Sequence, residues 1–390
     1  MSALRFDGWV PFRLYWQGSD PGVEWLYMGS RQFTDPFFET TIQVNVQTPF
    51  NSLIRFRTPL SVLAGWQAAS PGLKPAGFIF HLSRCGSTLI SQMLAALPRN
   101  VVLSEPGLLD RMLRSHERAP EASVEQRVLW LQWLVSALGQ PRTGQEHRLF
   151  IKLEPRNIVE LPLLRMAFPD VPWIFVYRDP VEVLVSNLRH LAAFVTRGMV
   201  LPGFLDFDVS VAAGMDDAEY AARVLGIVAE TAARHAAGAQ GKLIEYRQLP
   251  EIGWDELPRH FGIELTDAER DRMKEIAALD AKQPQRRFTS DTEDKRRAAT
   301  ERTRGMAEQW IGPHYARLEE MRRIQMGGFP AFRRIVLEDP ALLDRLSGLP
   351  REAFLSAAVH AAAQAGILLA KRDVEKAVED AHMERFGRLL

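Results

Sequence analysis

Phe78-Ile-Phe-His-Leu-Ser-Arg-Cys-Gly-Ser-Thr-Leu-Ile-Ser-Gln-Met-Leu94 opens as a short apolar run, passes through a small polar turn and continues with apolar residues at helical spacing. The pattern predicts a buried strand, a glycine-containing turn and a helix. A turn of this kind directs the N–H groups of Cys85 to Thr88 inward, under the positive end of the helix dipole, where an anion is favoured. Arg84 adds a fixed positive charge, and Ser87 and Thr88 add hydroxyl donors. By itself the segment fits either a phosphate cradle or an ordinary strand–turn–helix corner. It is not an ATPase loop: that motif needs Gly, four residues, then Gly-Lys-Ser/Thr, and here the cation precedes the glycine and no lysine follows it.

Outward from this segment the chain alternates strands and helices, the mark of an α/β domain with a parallel sheet. Strands are expected at Phe78–Phe80, from Asn100, from Leu149, at Trp173–Tyr177 and from Lys242. Trp173-Ile-Phe-Val-Tyr is apolar throughout, as a strand covered on both faces should be. Helices are expected at Leu89–Leu97, Val124–Leu138 and Val159–Phe168. Residues 1–70 differ in texture. They hold four of the nine tryptophans, and Thr41-Ile-Gln-Val-Asn-Val and Ser52-Leu-Ile-Arg-Phe-Arg alternate in polarity, which predicts strands and a small β-rich lobe. Pro71-Gly-Leu-Lys-Pro75 reads as a joint. Residues 76–325 form the expected α/β domain. Residues 327–390 read as a helical appendage, with three helical patterns between Leu337 and Phe386.

The chain of 390 residues carries 48 Lys+Arg and 48 Asp+Glu. A balanced charge argues against general attraction to nucleic acid or to a membrane surface. The single cysteine, Cys85, excludes an internal disulfide framework and fits a reducing, cytoplasmic setting. No apolar run reaches the length of a membrane span, and the N-terminus does not read as a signal peptide.

A second anion-binding candidate follows the fourth strand. In Tyr177-Arg-Asp-Pro-Val-Glu-Val-Leu-Val-Ser-Asn, Asp179 is a good N-cap and Pro180 a good first helical residue. Arg178 then sits at the sheet's carboxyl edge, and Ser186 lies about two turns later. Arg178 and Ser186 form either a second phosphate grip at the crevice where such sheets bind ligands, or a carboxylate partner and a packed serine.

Ser83-Arg-Cys-Gly-Ser-Thr resembles the 5′-phosphosulfate loop of sulfotransferases, usually Pro-Lys/Arg-Ser-Gly-Thr/Ser-Thr. Arg178 followed eight residues later by Ser186 is similar to their 3′-phosphate motif. Leu243-Ile-Glu-Tyr-Arg-Gln-Leu resembles the family's strand reading Tyr-Glu-Asp-Leu, and Trp310-Ile-Gly-Pro-His-Tyr-Ala-Arg-Leu resembles the helical close of many bacterial members. The resemblance covers about residues 76 to 320. It departs at Ser83, where the family has Pro, and at Cys85, where it has Ser. It implies a three-layer α/β/α fold with a mostly parallel sheet, like that of P-loop NTPases. It also implies 3′-phosphoadenosine-5′-phosphosulfate (PAPS) as donor, and in-line sulfuryl transfer to a hydroxyl or amine of a small-molecule, glycan or peptide acceptor. On that reading Arg84, Cys85, Gly86, Ser87 and Thr88 hold the 5′ end, Arg178 and Ser186 the 3′-phosphate, and Lys295, Arg296 and Arg297 fold over it. Lys152 touches the sulfuryl oxygens. Cys85 is a small loop residue rather than a nucleophile. No metal is expected.

A hydroxyl nucleophile needs a base. Glu105, just past the second strand, and Glu154, just past the third, are the candidates, with Glu105 preferred because several carbohydrate-directed and bacterial sulfotransferases place a Glu there. The readings kept beside sulfuryl transfer are a P-loop-type kinase and a non-catalytic nucleotide-binding module. The tail, with Phe332, Leu337-Glu-Asp-Pro-Ala-Leu-Leu-Asp-Arg-Leu, Phe354 and Gly366-Ile-Leu-Leu-Ala, either weakly resembles a Nif11-type helical segment, which implies peptide or carrier recognition, or is a helical cap on the main domain.

Overall fold

The computed structural model describes residues 6–199, 209–236, 240–325, 329–365, 367, 369–375 and 377–378. Its centre is a five-stranded, wholly parallel sheet with strand order β5-β6-β4-β7-β8. The strands are β4 (Pro75–His81), β5 (Asn100–Ser104), β6 (Arg148–Lys152), β7 (Trp173–Tyr177) and β8 (Gly241–Glu245). All residues of β5, β7 and β8 are buried. This is the α/β architecture expected from the uninterrupted apolar runs: helices cover both faces, so no strand residue needs a polar, solvent-facing side.

Because every strand is parallel, every loop that follows a strand opens at the same sheet edge. β4 is central, and the chain moves from it first to one side (β5, β6) and then to the other (β7, β8). That reversal leaves a crevice at the carboxyl ends, where open α/β sheets bind ligands.

The N-terminal residues form a three-stranded antiparallel sheet of β1 (Trp9–Gln17), β2 (Asp20–Tyr27) and β3 (Phe56–Pro59). The lobe is less β-rich than its alternation suggested. Thr41–Val46, expected as a strand, lies within helix α1 (Phe38–Val46), where Thr41, Ile42 and Asn45 are buried. Their i, i+1, i+4 spacing is one helical face, and six residues of alternation fit either period. Ser52-Leu53 closes helix α2 (Pro49–Leu53), and only the Phe56-Arg57 end is strand. Helix α3 (Val62–Ala69) completes the lobe. Its core runs without a break into that of the sheet: Trp25 and Leu14 share one apolar cluster with Phe80 and Leu131, and the Trp16 and Trp130 rings meet edge-on at 6.1 Å.

Helix α4 (Ser87–Ala95) follows β4, α5 (Gly107–Leu113) follows β5, and α6 (Val124–Leu138) has the bounds read from the sequence. The stretch from Val159 splits into a 3₁₀ segment (Pro155–Glu160) and α7 (Leu161–Ala167). Helix α8 (Pro180–Arg189) begins as its capping residues predicted: Asp179 accepts from the amides of Val181 (3.0 Å) and Glu182 (3.1 Å). No described helix is long and apolar enough to cross a membrane.

The tail is helical at Phe329–Glu338, Pro340–Ser347 and Arg351–Gln364. It has an apolar cluster of its own, with Phe332, Leu342, Leu355 and Ala362 at its centre. Most of the third pattern read in the tail, from Gly366 to Phe386, lies outside the described residues.

Candidate active site

The turn between β4 and α4 is built from left-handed backbone. Ser83 (φ 74°), Arg84 (φ 51°) and Gly86 (φ 86°) all have positive φ. Non-glycine residues adopt this region only when their surroundings hold them there. Here the Ser83 amide donates to His81 Nδ1 (3.1 Å), and its hydroxyl donates to Asn187 Oδ1 (3.1 Å) in α8. A proline cannot reach φ +74°, so Ser83 and this turn geometry belong together. Side-chain bonds, rather than a pyrrolidine ring, fix the loop.

Gly86 is the N-cap of α4. A Cβ added there would lie 2.5 Å from Leu249 Cδ1 and 3.1 Å from the Tyr246 ring, in a left-handed conformation. Gly86→Ala is therefore expected to cost about 1–3 kcal/mol by overpacking and backbone strain. Thermal unfolding would show it as a lowered Tm, and an unchanged Tm would contradict the tight turn.

Among the described residues, no carbonyl accepts from the amides of residues 84–88. These donors stand at a helix start with the Arg84 side chain beside them, whose guanidinium bonds the His190 carbonyl (2.9 Å). Cys85 is fully buried and its thiol donates to the Val176 carbonyl (3.0 Å). Burial pushes its pKa up to about 11, so no thiolate nucleophile is available at neutral pH.

One cavity of about 700 Å³ opens at the sheet's carboxyl edge. It collects Arg84, Cys85, Gly86, Ser87 and Thr88 from the turn, Glu105 from behind β5, Lys152 and Glu154 from the end of β6, Arg178 and Ser186 from behind β7, and Lys295. Arg296 and Arg297 are not among its lining residues. Arg296 pairs with Glu182 (2.9 Å), and Arg297 points to solvent and pairs with Asp294 (2.7 Å). A run of three cations on one helix, Thr292–Ala298, cannot aim all three heads at one point.

Arg178 is buried and its guanidinium lies over the Tyr246 ring, 3.9 Å from the centroid. It donates to Glu182 (2.6 Å), Asp291 (3.1 Å) and Thr292 (2.9 Å). Asp291 also accepts from Lys295 (2.8 Å). A carboxylate thus sits between the two cations on the cavity side.

At the other end, Glu105 has positive φ (54°) and its amide bonds the Lys152 carbonyl (2.7 Å). The Lys152 ammonium, fully buried, pairs with Glu105 Oε1, and His81 Nε2 lies 3.2 Å from the same oxygen. Since His81 Nδ1 accepts the Ser83 amide, the neutral ring carries its proton on Nε2, facing Glu105. Burial alone would raise the Glu105 pKa, but Lys152 and His81 outweigh it and hold the carboxyl well below the usual range. Glu154 behaves oppositely. Burial first, then the charge of Asp110, raises it to about 7, although Arg156 lies 3.1 Å away. Two carboxylates in one cavity therefore have separated protonation states.

Residues 75–251 match the profile of the Sulfotransferase family. That stretch is similar to sulfotransferases over 177 of the 390 residues. No curated protein matches the chain. Solved structures similar to it include a sulfotransferase from Mycobacterium tuberculosis (17% identity, 54% of this chain and 73% of that one, TM-score 0.34). A sulfotransferase domain from the curacin biosynthetic pathway (15%, 61% and 97%, TM-score 0.40) and a sulfotransferase from Alicyclobacillus acidocaldarius (14%, 64% and 96%, TM-score 0.39) are also similar.

The matched stretch does not supply the whole cavity. Phe37 precedes the matched residues, and Lys282, Asp291 and Lys295 follow them. Sequence reading missed Phe37, Tyr246, Lys282 and Asp291. Tyr246 stood in the Leu243-Ile-Glu-Tyr echo. Lys282 stands beside the polar run Gln283–Arg304 and carries no spacing signal. Phe37 reaches the cavity only through the packing of the N-terminal lobe. Among the described residues no group of three or more His, Cys, Asp or Glu is placed to hold a metal ion.

Proposed function

We propose that this protein transfers a sulfuryl group from PAPS to a hydroxyl or amine of a small-molecule, glycan or peptide acceptor. The observation that carries the reading is that Arg84 and Arg178, set behind neighbouring strands β4 and β7, line a single cavity. Two cation sites in one crevice suit a nucleotide phosphorylated at both ends of its ribose.

In this reading the 5′-phosphosulfate lies on the amides of residues 84–88, with Arg84, Ser87 and Thr88 as further donors. The 3′-phosphate displaces Asp291 from Arg178 and meets Ser186 and Lys295. The acceptor oxygen attacks sulfur opposite the bridging oxygen. A new S–O bond forms, the bond from sulfur to the bridging oxygen breaks, and the electron pair leaves on the 5′-phosphate, where fixed donors already wait. Lys152 offers its ammonium to the sulfuryl oxygens.

The acceptor proton passes to Glu105. That carboxylate is ionised at any working pH, and Oε1 is paired with Lys152 with His81 Nε2 3.2 Å away, which leaves Oε2 for the acceptor. Its basicity is low, but the acceptor hydroxyl turns strongly acidic as its oxygen bonds to sulfur, so a weak base suffices late in the step. The elevated pKa of Glu154, about 7, favours a second reading in which Glu154 takes the proton.

Adenosine 3′,5′-bisphosphate should raise the melting temperature by several degrees and ATP far less, since ATP carries no 3′-phosphate. Incubation with sulfur-labelled PAPS and an acceptor panel should then give labelled product. A chain that responds equally to ATP and the bisphosphate would contradict the proposed donor.

A further inference from the structure

Residues 278–288 form a tight hairpin outside the family-matched stretch. Leu279 and Arg287 make an isolated bridge, the Phe288 amide bonds the Ala278 carbonyl (3.0 Å), and Asp280 Oδ1 accepts from the amides of Lys282 (2.8 Å) and Gln283 (2.9 Å). Leu279, Asp280, Ala281 and Lys282 all line the cavity. The hairpin therefore fixes the Lys282 backbone at the cavity rim. The residue is exposed there, while its ammonium reaches inward to within 5.8 Å of the Phe37 ring centroid, whose other neighbour is the Lys152 ammonium at 5.1 Å.

The local charges do not balance. Among the described residues, neither Lys282 nor Arg84 has a carboxylate at ion-pair distance, and Glu105 is already taken by Lys152. Partial burial, then the charges of Arg84 and Lys152, bring the Lys282 pKa down to about 8 against the opposing pull of Glu105 and Cys85. Three cations face one carboxylate here, and an anion between them would relieve their mutual repulsion.

We propose that Lys282 is a further catalytic residue, a third cation that closes over the sulfuryl group of the donor from the hairpin side while Arg84 holds the adjoining 5′-phosphate. The proposal rests on the sulfuryl-transfer reading. It adds a residue from a segment outside the family match. Charge on the sulfuryl oxygens and the bridging oxygen is then met from two directions, by Arg84 and Lys152 on the sheet side and by Lys282 on the hairpin side. Protonated Lys282 does this work, so its contribution is present below its pKa and is lost as pH rises through about 8.

The test compares PAPS with adenosine 3′,5′-bisphosphate, which lacks only the sulfuryl group, by equilibrium titration of the full chain at pH 7 and pH 9. Lys282→Met is expected to weaken PAPS at least tenfold at pH 7 and the bisphosphate less than threefold. Lys282→Arg should restore PAPS binding. It should also keep that binding at pH 9, where the wild-type protein loses part of its preference for PAPS. Equal effects of Lys282→Met on both nucleotides, or none on either, would overturn the assignment to the sulfuryl group and leave the donor reading standing. Failure of the wild-type chain to bind either nucleotide would overturn the donor reading and this one together.

Discussion

Replacing Arg178 by Ala is expected to abolish the thermal stabilisation that adenosine 3′,5′-bisphosphate gives the wild-type protein. Arg178 is the buried cation at the end of β7, stacked on Tyr246 and already holding one carboxylate, Asp291, on its cavity side. A 3′-phosphate in that position makes charge-assisted, two-pronged hydrogen bonds. Removing one partner of such a buried charged pair costs about 2–5 kcal/mol, roughly 30- to 4,000-fold in Kd. The variant will also melt lower without ligand, because the buried Glu182 keeps only Arg296. The decisive readout is therefore the ligand-induced shift within each protein. A shift in Arg178→Ala equal to that of wild type would remove the 3′-phosphate from this site.

The second large effect is on chemistry. Glu105→Gln is expected to bind the bisphosphate as wild type does and to lower kcat by about 10²–10⁴-fold, the usual range for a general base. Glu154→Gln should leave transfer close to wild type. The pH profile separates the two carboxylates. A base works only when unprotonated, so its rate falls as pH drops through its pKa. With Glu105 held well below the usual carboxylate range, transfer should stay level from pH 7 down to the edge of acid unfolding. With Glu154, raised to about 7, the rate would fall tenfold per unit below that point. A loss of transfer in Glu154→Gln together with an acid limb near 7 would reassign the base.

The sheet was legible because buried parallel strands are apolar without interruption, as Trp173–Tyr177 shows, and because capping residues such as Asp179 and Pro180 act locally. The Thr41–Val46 segment was not legible for the complementary reason. Its alternation spans too few residues to separate the two periods, and packing against the lobe core selected the helix. The β4–α4 turn and the place of Arg178 followed from local pattern, since each is set by one strand, one turn and one helix. Lys282, Asp291 and Phe37 come to the cavity from segments far away in the chain, brought there by the hairpin 278–288, the helix that follows it and the N-terminal lobe. Nothing in their immediate neighbours marks them. The pairing of Glu105 with Lys152 and His81 is likewise a product of three adjacent strand ends, β5, β6 and β4, and so is the depressed pKa that distinguishes it from Glu154.

A crystal structure of the protein with adenosine 3′,5′-bisphosphate tests most directly whether one crevice grips both ends of the nucleotide. The 5′-phosphate should lie on the amides of residues 84–88 beside Arg84, and the 3′-phosphate on Arg178 and Ser186, with Asp291 displaced. A nucleotide bound elsewhere, or one whose 3′-phosphate points to solvent while Arg178 stays paired with Asp291, would contradict it.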